Sequence, residues 1–325
     1  MKKIFNMLVS MALIGTVCGS FTACDDDNDG DKIPAALKYE KKHDTAILLV
    51  TFGSTYDEPH TTYDNQIAQF KTAFPDADIF FSFTSVTCIN RWYAASGEQF
   101  ITPDKWLGSF IEKGYKHVYV QSLHVIPGEE FQLLRDKYVK SDYNFIVQDM
   151  EPAREEACCG TALLTSDEDI ETVAKVLVDA FKTQLQAGEA VAFMGHGNPV
   201  SDYNHANASY EKIEKAMQKY ATSAYGNGNV FVGTVDYPAM LIDYVIDEMG
   251  AKGVSKSTPV NLHPLMSIAG DHANNDMADT NDPESWISMI KAAGWNTVKT
   301  TVKGLGDYKE INEVWIQHLR DAIAE

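Results

Sequence analysis

Short, nearly continuous apolar runs alternate along this chain with longer stretches whose apolar residues recur every three or four positions. That is the pattern of parallel strands buried on both faces and joined by crossover helices. The first run, residues 46–53, closes in Gly-Ser-Thr and is followed by a helical pattern over 61–74. Strands at 79–84 and 117–123 follow, with a helix over 106–114 between them. A helix carrying Phe131, Leu133 and Leu134 leads to a fourth strand at 144–147. An amphipathic helix over 167–184 opens a second series, with strands at 190–194, 229–235, 258–264 and 296–302 alternating with helices at 203–220, 239–249, 284–293 and 309–323. The order predicts an α/β fold of two similar halves, each a parallel sheet flanked by helices, with a ligand cleft between them.

The halves also share residues. Leu123-His124 and the apolar stretch that ends in Gly128-Glu129-Glu130 match Leu262-His263 and the stretch that ends in Gly270-Asp271-His272, so Glu130 takes the place of His272. Phe52-Gly53 likewise answers His196-Gly197. His196 lies between two glycines at the end of a strand, where the backbone can turn sharply, and His272 follows Gly270 at another strand end. Open α/β sheets hold ligands at such edges, so the two imidazoles are expected to face each other across the cleft. His124 and His263, inside apolar runs, read as structural. Cys158-Cys159 reads as an ordinary helix start rather than a soft metal site, and no disulfide framework is present.

The first 23 residues have the form of a secretory leader: Lys2-Lys3, an apolar stretch from Met7 to Val17, then Phe21-Thr22-Ala23-Cys24, which resembles a bacterial lipobox. The expected domain plan is a lipoprotein signal at 1–23, an acidic tether at 24–44 that opens with Asp25-Asp26-Asp27, an N-terminal half at 45–165 and a C-terminal half at 166–325. Lipidation at Cys24 would place the protein in the cell envelope, held to the membrane by its anchor alone. The full chain carries a net charge of −19. Without its first 23 residues it would hold 25 basic side chains against 46 acidic ones, a net −21, which argues against nucleic acid as a partner.

Six motifs in order resemble the class II chelatases, most closely the anaerobic-type sirohydrochlorin cobaltochelatases. They are Leu-Val-Thr-Phe-Gly-Ser at 49–54, Phe-Thr-Ser at 83–85, Val-Gln-Ser-Leu-His at 120–124, Met-Gly-His-Gly at 194–197, Gly-Thr-Val-Asp-Tyr-Pro at 233–238 and Ala-Gly-Asp-His-Ala-Asn-Asn-Asp-Met at 269–277. The resemblance implies that His196 and His272 bind the metal and act in insertion. It implies Asp236 as third ligand, where relatives carry glutamate with one more residue before Tyr-Pro, and Glu130 as the carboxylate facing the macrocycle.

Two imidazoles and one carboxylate suit an ion that must be held and then released. A histidine or a nearby acid can take the protons that the ring gives up. Asp271 and Asn275 are candidates to fix the tautomer of His272, and Asp276 reads as a turn residue. Arg91 is the candidate cation for a carboxylate arm, with Trp92 or Tyr93 to cover the ring face and His205 as a further ligand contact. The activity that the resemblance implies is insertion of Co(II), with Fe(II) as the other candidate metal, into sirohydrochlorin in cobalamin-type biosynthesis, with no organic cofactor. A competing reading, favoured by the leader, is a haem- or tetrapyrrole-binding envelope lipoprotein for uptake or iron removal.

Overall fold

The computed structural model describes residues 34–151 and 154–325. The leader and Cys24 lie outside the described residues. No helix among those described is long and apolar enough to cross a membrane.

The elements run β1 (Thr45–Thr51), α1 (Asp57–Ala73), β2 (Ala77–Phe83), α2 (Val86–Ser96), α3 (Pro103–Glu112) and β3 (His117–Ser122), then a helical stretch α4 made of Glu129–Gln132, the π-helical Leu133–Asn144 and Phe145–Gln148. They continue through β4 (Cys158–Gly160), α5 (Asp167–Ala180), β5 (Ala190–Gly195), α6 (Asn204–Tyr225), β6 (Val230–Thr234), α7 (Ile242–Ala251), β7 (Val260–Pro264), α8 (Trp286–Ala292), β8 (Val298–Thr300) and α9 (Lys309–Ala324). All pairings are parallel, in the orders β2-β1-β3-β4 and β6-β5-β7-β8. Each sheet therefore reverses its winding between its first and third strands, which is where an open α/β sheet leaves a crevice for a ligand.

Burial on both faces explains the unbroken apolar runs. Ile47 and Leu49 enter one core, and Ala46, Leu48 and Val50 enter another on the opposite face of β1. The first of these cores also contains Val191 and Phe193 of β5 and Trp315 and Leu319 of α9, so it is shared by the two sheets. The C-terminal helix α9 packs against β3 and β4, and α5 packs against α6. Ser166 starts α5 with a capping box, its hydroxyl accepting from the Asp169 amide while the Asp169 carboxylate accepts from the Ser166 amide.

Three sequence expectations need correction. Residues 144–147 are helical, and the fourth strand is Cys158–Gly160, in register with Tyr119–Gln121. A four-residue apolar run does not distinguish the two periods. In the structure Phe145 and Ile146 are 66% and 52% exposed while Val147 is buried, a helical rather than a sheet distribution. Cys158 and Cys159 are thus strand residues, and burial pushes their thiols up to about 11 and about 12.

The third correction concerns the register of the repeat. Leu123 donates to the Val50 carbonyl as Leu265 donates to that of Met194. The counterpart of Leu123 is therefore Leu265 and not Leu262, and His124 corresponds to Met266. With that frame Glu130 falls opposite His272 without a gap.

Candidate active site

The carboxyl ends of strands from both sheets line one cleft of about 740 Å³. His196 leaves β5 into it. Gly195 lies against the Tyr210 ring, where a Cβ would come within 2.3 Å of a ring carbon. Gly197 adopts φ +83°, where a Cβ would lie 2.7 Å from the Tyr237 amide, so no larger residue keeps this turn. His196 Nδ1 donates to the Gly197 carbonyl at 2.8 Å, which leaves its Nε2 as the lone-pair nitrogen. His272 follows β7, the strand paired with β5 in the same sheet, so the two imidazoles stand side by side on one wall and not on opposite sides of the cleft as expected; their rings meet edge to face with centroids 4.8 Å apart.

His272 is oriented differently. Its Nδ1 donates to Asp276 Oδ2 at 2.5 Å, one helical turn on, which again frees Nε2. The two imidazoles are pushed apart in proton affinity. Burial lowers the pKa of His196, with the nearby His272 adding to the effect. The hydrogen bond to Asp276 raises that of His272. Asp271 and Asn275 do not orient His272. They bind each other at 2.8 Å and meet the Tyr56 hydroxyl at 3.1 Å, which fastens the loop after β1 to the loop after β7. Asp276 is therefore a helical residue that orients His272 and not a turn residue, and the His-x-x-x-Asp spacing, one turn of helix, is its signal in the sequence.

Asp236 also lines the cleft, with its amide donating to the His196 carbonyl at 2.8 Å. Its Oδ2 lies 3.7 Å from His196 Nδ1, on the ring edge that the Gly197 carbonyl already occupies. Among the described residues no three His, Cys, Asp or Glu side chains converge as a group able to hold a metal ion. Two imidazoles with free Nε2 atoms are what the structure brings together.

Across the cleft, Glu130 lies in the first turn of α4 and accepts from Thr84 Oγ1 at 3.0 Å, and burial raises its pKa. The Glu129 amide reaches Asn198 Oδ1 at 3.4 Å and so ties the two rims. Arg91 lines the cleft and pairs with no carboxylate among the described residues. Trp92, one position round α2, does not line it. It is buried with its indole stacked on His60 at 3.5 Å and its Nε1 donating to Glu98 at 2.9 Å, because α2 turns that face to the core. Tyr93 is exposed and also lies outside the cleft lining. His205 does not line the cleft either. Its Nδ1 donates to the Asp202 carbonyl at 3.1 Å within the first turn of α6, and its Nε2 lies 3.4 Å from Gln132 Nε2 of the other half.

His124 and His263 differ in kind. His263 is buried with both nitrogens engaged, Nδ1 to the Pro264 carbonyl at 2.7 Å and Nε2 to the Tyr308 hydroxyl at 2.9 Å. His124 borders the cleft, meets Ser122 Oγ at 2.9 Å through Nδ1, and has no partner at its buried Nε2 among the described residues.

Residues 45–324 match the family model described as cobalt chelatase (CbiK). The chain belongs to the cobalt chelatase family. It is 33% identical over 283 residues to the sirohydrochlorin cobaltochelatase of Salmonella typhimurium, covering 86% of this chain and 96% of that protein. It is 31% identical over 283 residues to the sirohydrochlorin cobaltochelatase CbiKC of Nitratidesulfovibrio vulgaris, covering 86% of this chain and 90% of the relative. Among solved structures, SirB from Bacillus subtilis with Fe3+ shares the fold of this chain with a TM-score of 0.57 at 13% identity, over 86% of this chain and 96% of that one.

Proposed function

We propose that this cobalt chelatase inserts Co(II) into sirohydrochlorin, with His196 and His272 delivering the ion through their Nε2 atoms. The observation that carries this is the edge-to-face imidazole pair, 4.8 Å apart in a cleft lined by strand ends of both sheets. Both nitrogens are neutral donors when deprotonated, so they bind a divalent ion without trapping it as thiolates would. Fe(II) meets the same donor set, and selection between the metals rests on supply and geometry. Asp236, beside His196, supports the charge of the incoming ion.

Insertion exchanges the ion for two pyrrole protons. Glu130, on the opposite half and with its proton affinity raised by burial, is suited to take one of them. His196, lowered by burial and free again once the ion has left, takes the other. Arg91 supplies the cation for a carboxylate arm of the ring. The family match favours insertion over the uptake reading, which has no separate support in the cleft. Lipidation of Cys24 and a place in the cell envelope complete the proposal, and mass spectrometry of the membrane fraction tests them, an unmodified Cys24 being the contrary result.

The test of activity is a visible-absorption assay with purified protein, metal-free sirohydrochlorin and Co(II), read against a control without protein. Insertion faster than the control is expected. A rate equal to it, with haemin bound tightly instead, would reject the reading in favour of a binding protein.

A further inference from the structure

Phe52 leaves the end of β1 and lines the cleft, 48% exposed, and it is the large exposed apolar side chain among the residues that form this wall. Its backbone is that of His196 in the other half. Ser85 donates to the Phe52 carbonyl at 3.0 Å as Asp236 donates to the His196 carbonyl at 2.8 Å. Each is followed by a glycine at positive φ, Gly53 at +110° and Gly197 at +83°. A Cβ at Gly53 would lie 2.7 Å from the Phe83 ring, so the turn that presents Phe52 to the cleft is as constrained as the one that presents His196. The two side chains thus stand at matched strand ends on the two sides of one cavity, an imidazole on one and a bare phenyl on the other.

Val125 and Ile126, after β3, add apolar surface on the same side, and Ile268 adds it from the other. A half-exposed phenylalanine has water to lose, and a flat aromatic ligand is the partner that its face fits by offset stacking. Resting on the insertion reading, we infer that Phe52 is the platform on which the tetrapyrrole ring lies, holding the plane of the macrocycle against the imidazole pair opposite. Phe52 acts on the ring and not on the ion.

The test measures two affinities separately in Phe52→Ala, Phe52→Leu and Phe52→Trp. One is for metal-free sirohydrochlorin, by absorption titration. The other is for Co(II) alone, by calorimetry. Phe52→Ala should weaken ring binding on the order of ten-fold and Phe52→Leu less, with Co(II) affinity held within about two-fold in both. Phe52→Trp, which keeps an aromatic face, should retain ring binding within about two-fold, and this ranking by aromatic face with Co(II) affinity unmoved is one that a merely structural role would not produce. Ring affinity in Phe52→Ala and Phe52→Leu equal to the parent, or lost in Phe52→Trp as fully as in Phe52→Ala, overturns the inference while the insertion reading stands. A parent protein that binds no sirohydrochlorin rejects both, so the two failures are distinguishable.

Discussion

Phe52, Ser85 and Glu130 in the N-terminal half stand where His196, Asp236 and His272 stand in the C-terminal half, and all six line one cleft. The frames are alike: parallel sheets of the same strand order, the same carbonyls accepting at the strand ends, the same positive-φ glycine after β1 and β5. The side chains are not. One wall offers two nitrogen donors and a carboxylate, and the other a phenyl ring, a hydroxyl and a single acid. On the reading proposed above, a repeated scaffold is divided by chemistry, with donors for a cation on one side and a surface for an aromatic ring with a proton acceptor on the other. The buried histidines tell the same story on a smaller scale, His263 fully bonded within its half and His124 left with an idle nitrogen beside the cleft.

The largest expected effect follows from removing the donor side. His196→Ala or His272→Ala should lower the insertion rate by two orders of magnitude or more and weaken Co(II) binding by about 1–3 kcal/mol, the range that lost partners of charged groups cost. Insertion kinetics and calorimetry on the two single variants check this.

Acid stability comes next. Burial holds both His124 and His263 down to about 4, against the usual 6.5. The unfolded chain takes up these protons first as pH falls, so stability is intact above pH 6.5 and declines through the window down to about 4. The loss is on the order of 3 kcal/mol for each histidine at the bottom of that window. Urea unfolding at pH 7.5, 6 and 5 reads the slope, and a flat profile would contradict the assignment.

A smaller effect separates the two histidines. Tyr308→Phe strips His263 Nε2 of its partner and should cost about 1–3 kcal/mol in the same unfolding experiment at pH 7.5. His124→Met, which installs the residue that the other half carries at the matching position, should change stability by less than about 1 kcal/mol, because the Nδ1 bond to Ser122 is lost together with a buried Nε2 that has no partner among the described residues.

Much of this was legible in the chain because a parallel strand buried on both faces leaves an apolar run, as β1, β5 and β6 do. The edge strands are harder to read: β8 is a mostly exposed Val-Lys-Thr, and β4 is three residues long, its Cys-Cys-Gly carrying no periodicity, while the apolar 144–147 segment belongs to a helix. Motif spacing located His196 and His272 because glycine marks strand ends. It did not locate their partners. A tautomer is set by whichever acceptor the folded loop delivers, here the Gly197 carbonyl and Asp276, and the sequence of that loop offered three polar candidates for His272 at once. The placement of Trp92 depended on which face α2 buries, and in an eleven-residue helix at a cleft rim that is settled by tertiary packing on His60. The repeat was visible, but its register was taken from a Leu-His coincidence that the hydrogen bonds of β3 and β7 shift by three residues.

The division between the two walls is most directly tested by titrating Co(II), with no ring present, into the parent, His272→Ala and Glu130→Gln. Glu130 holds Thr84 on the ring side and should leave Co(II) affinity within about two-fold when neutralised, whereas His272→Ala should lose it on the order of ten-fold or more. Equal loss in both variants, or loss in Glu130→Gln alone, would contradict a metal held by the C-terminal half.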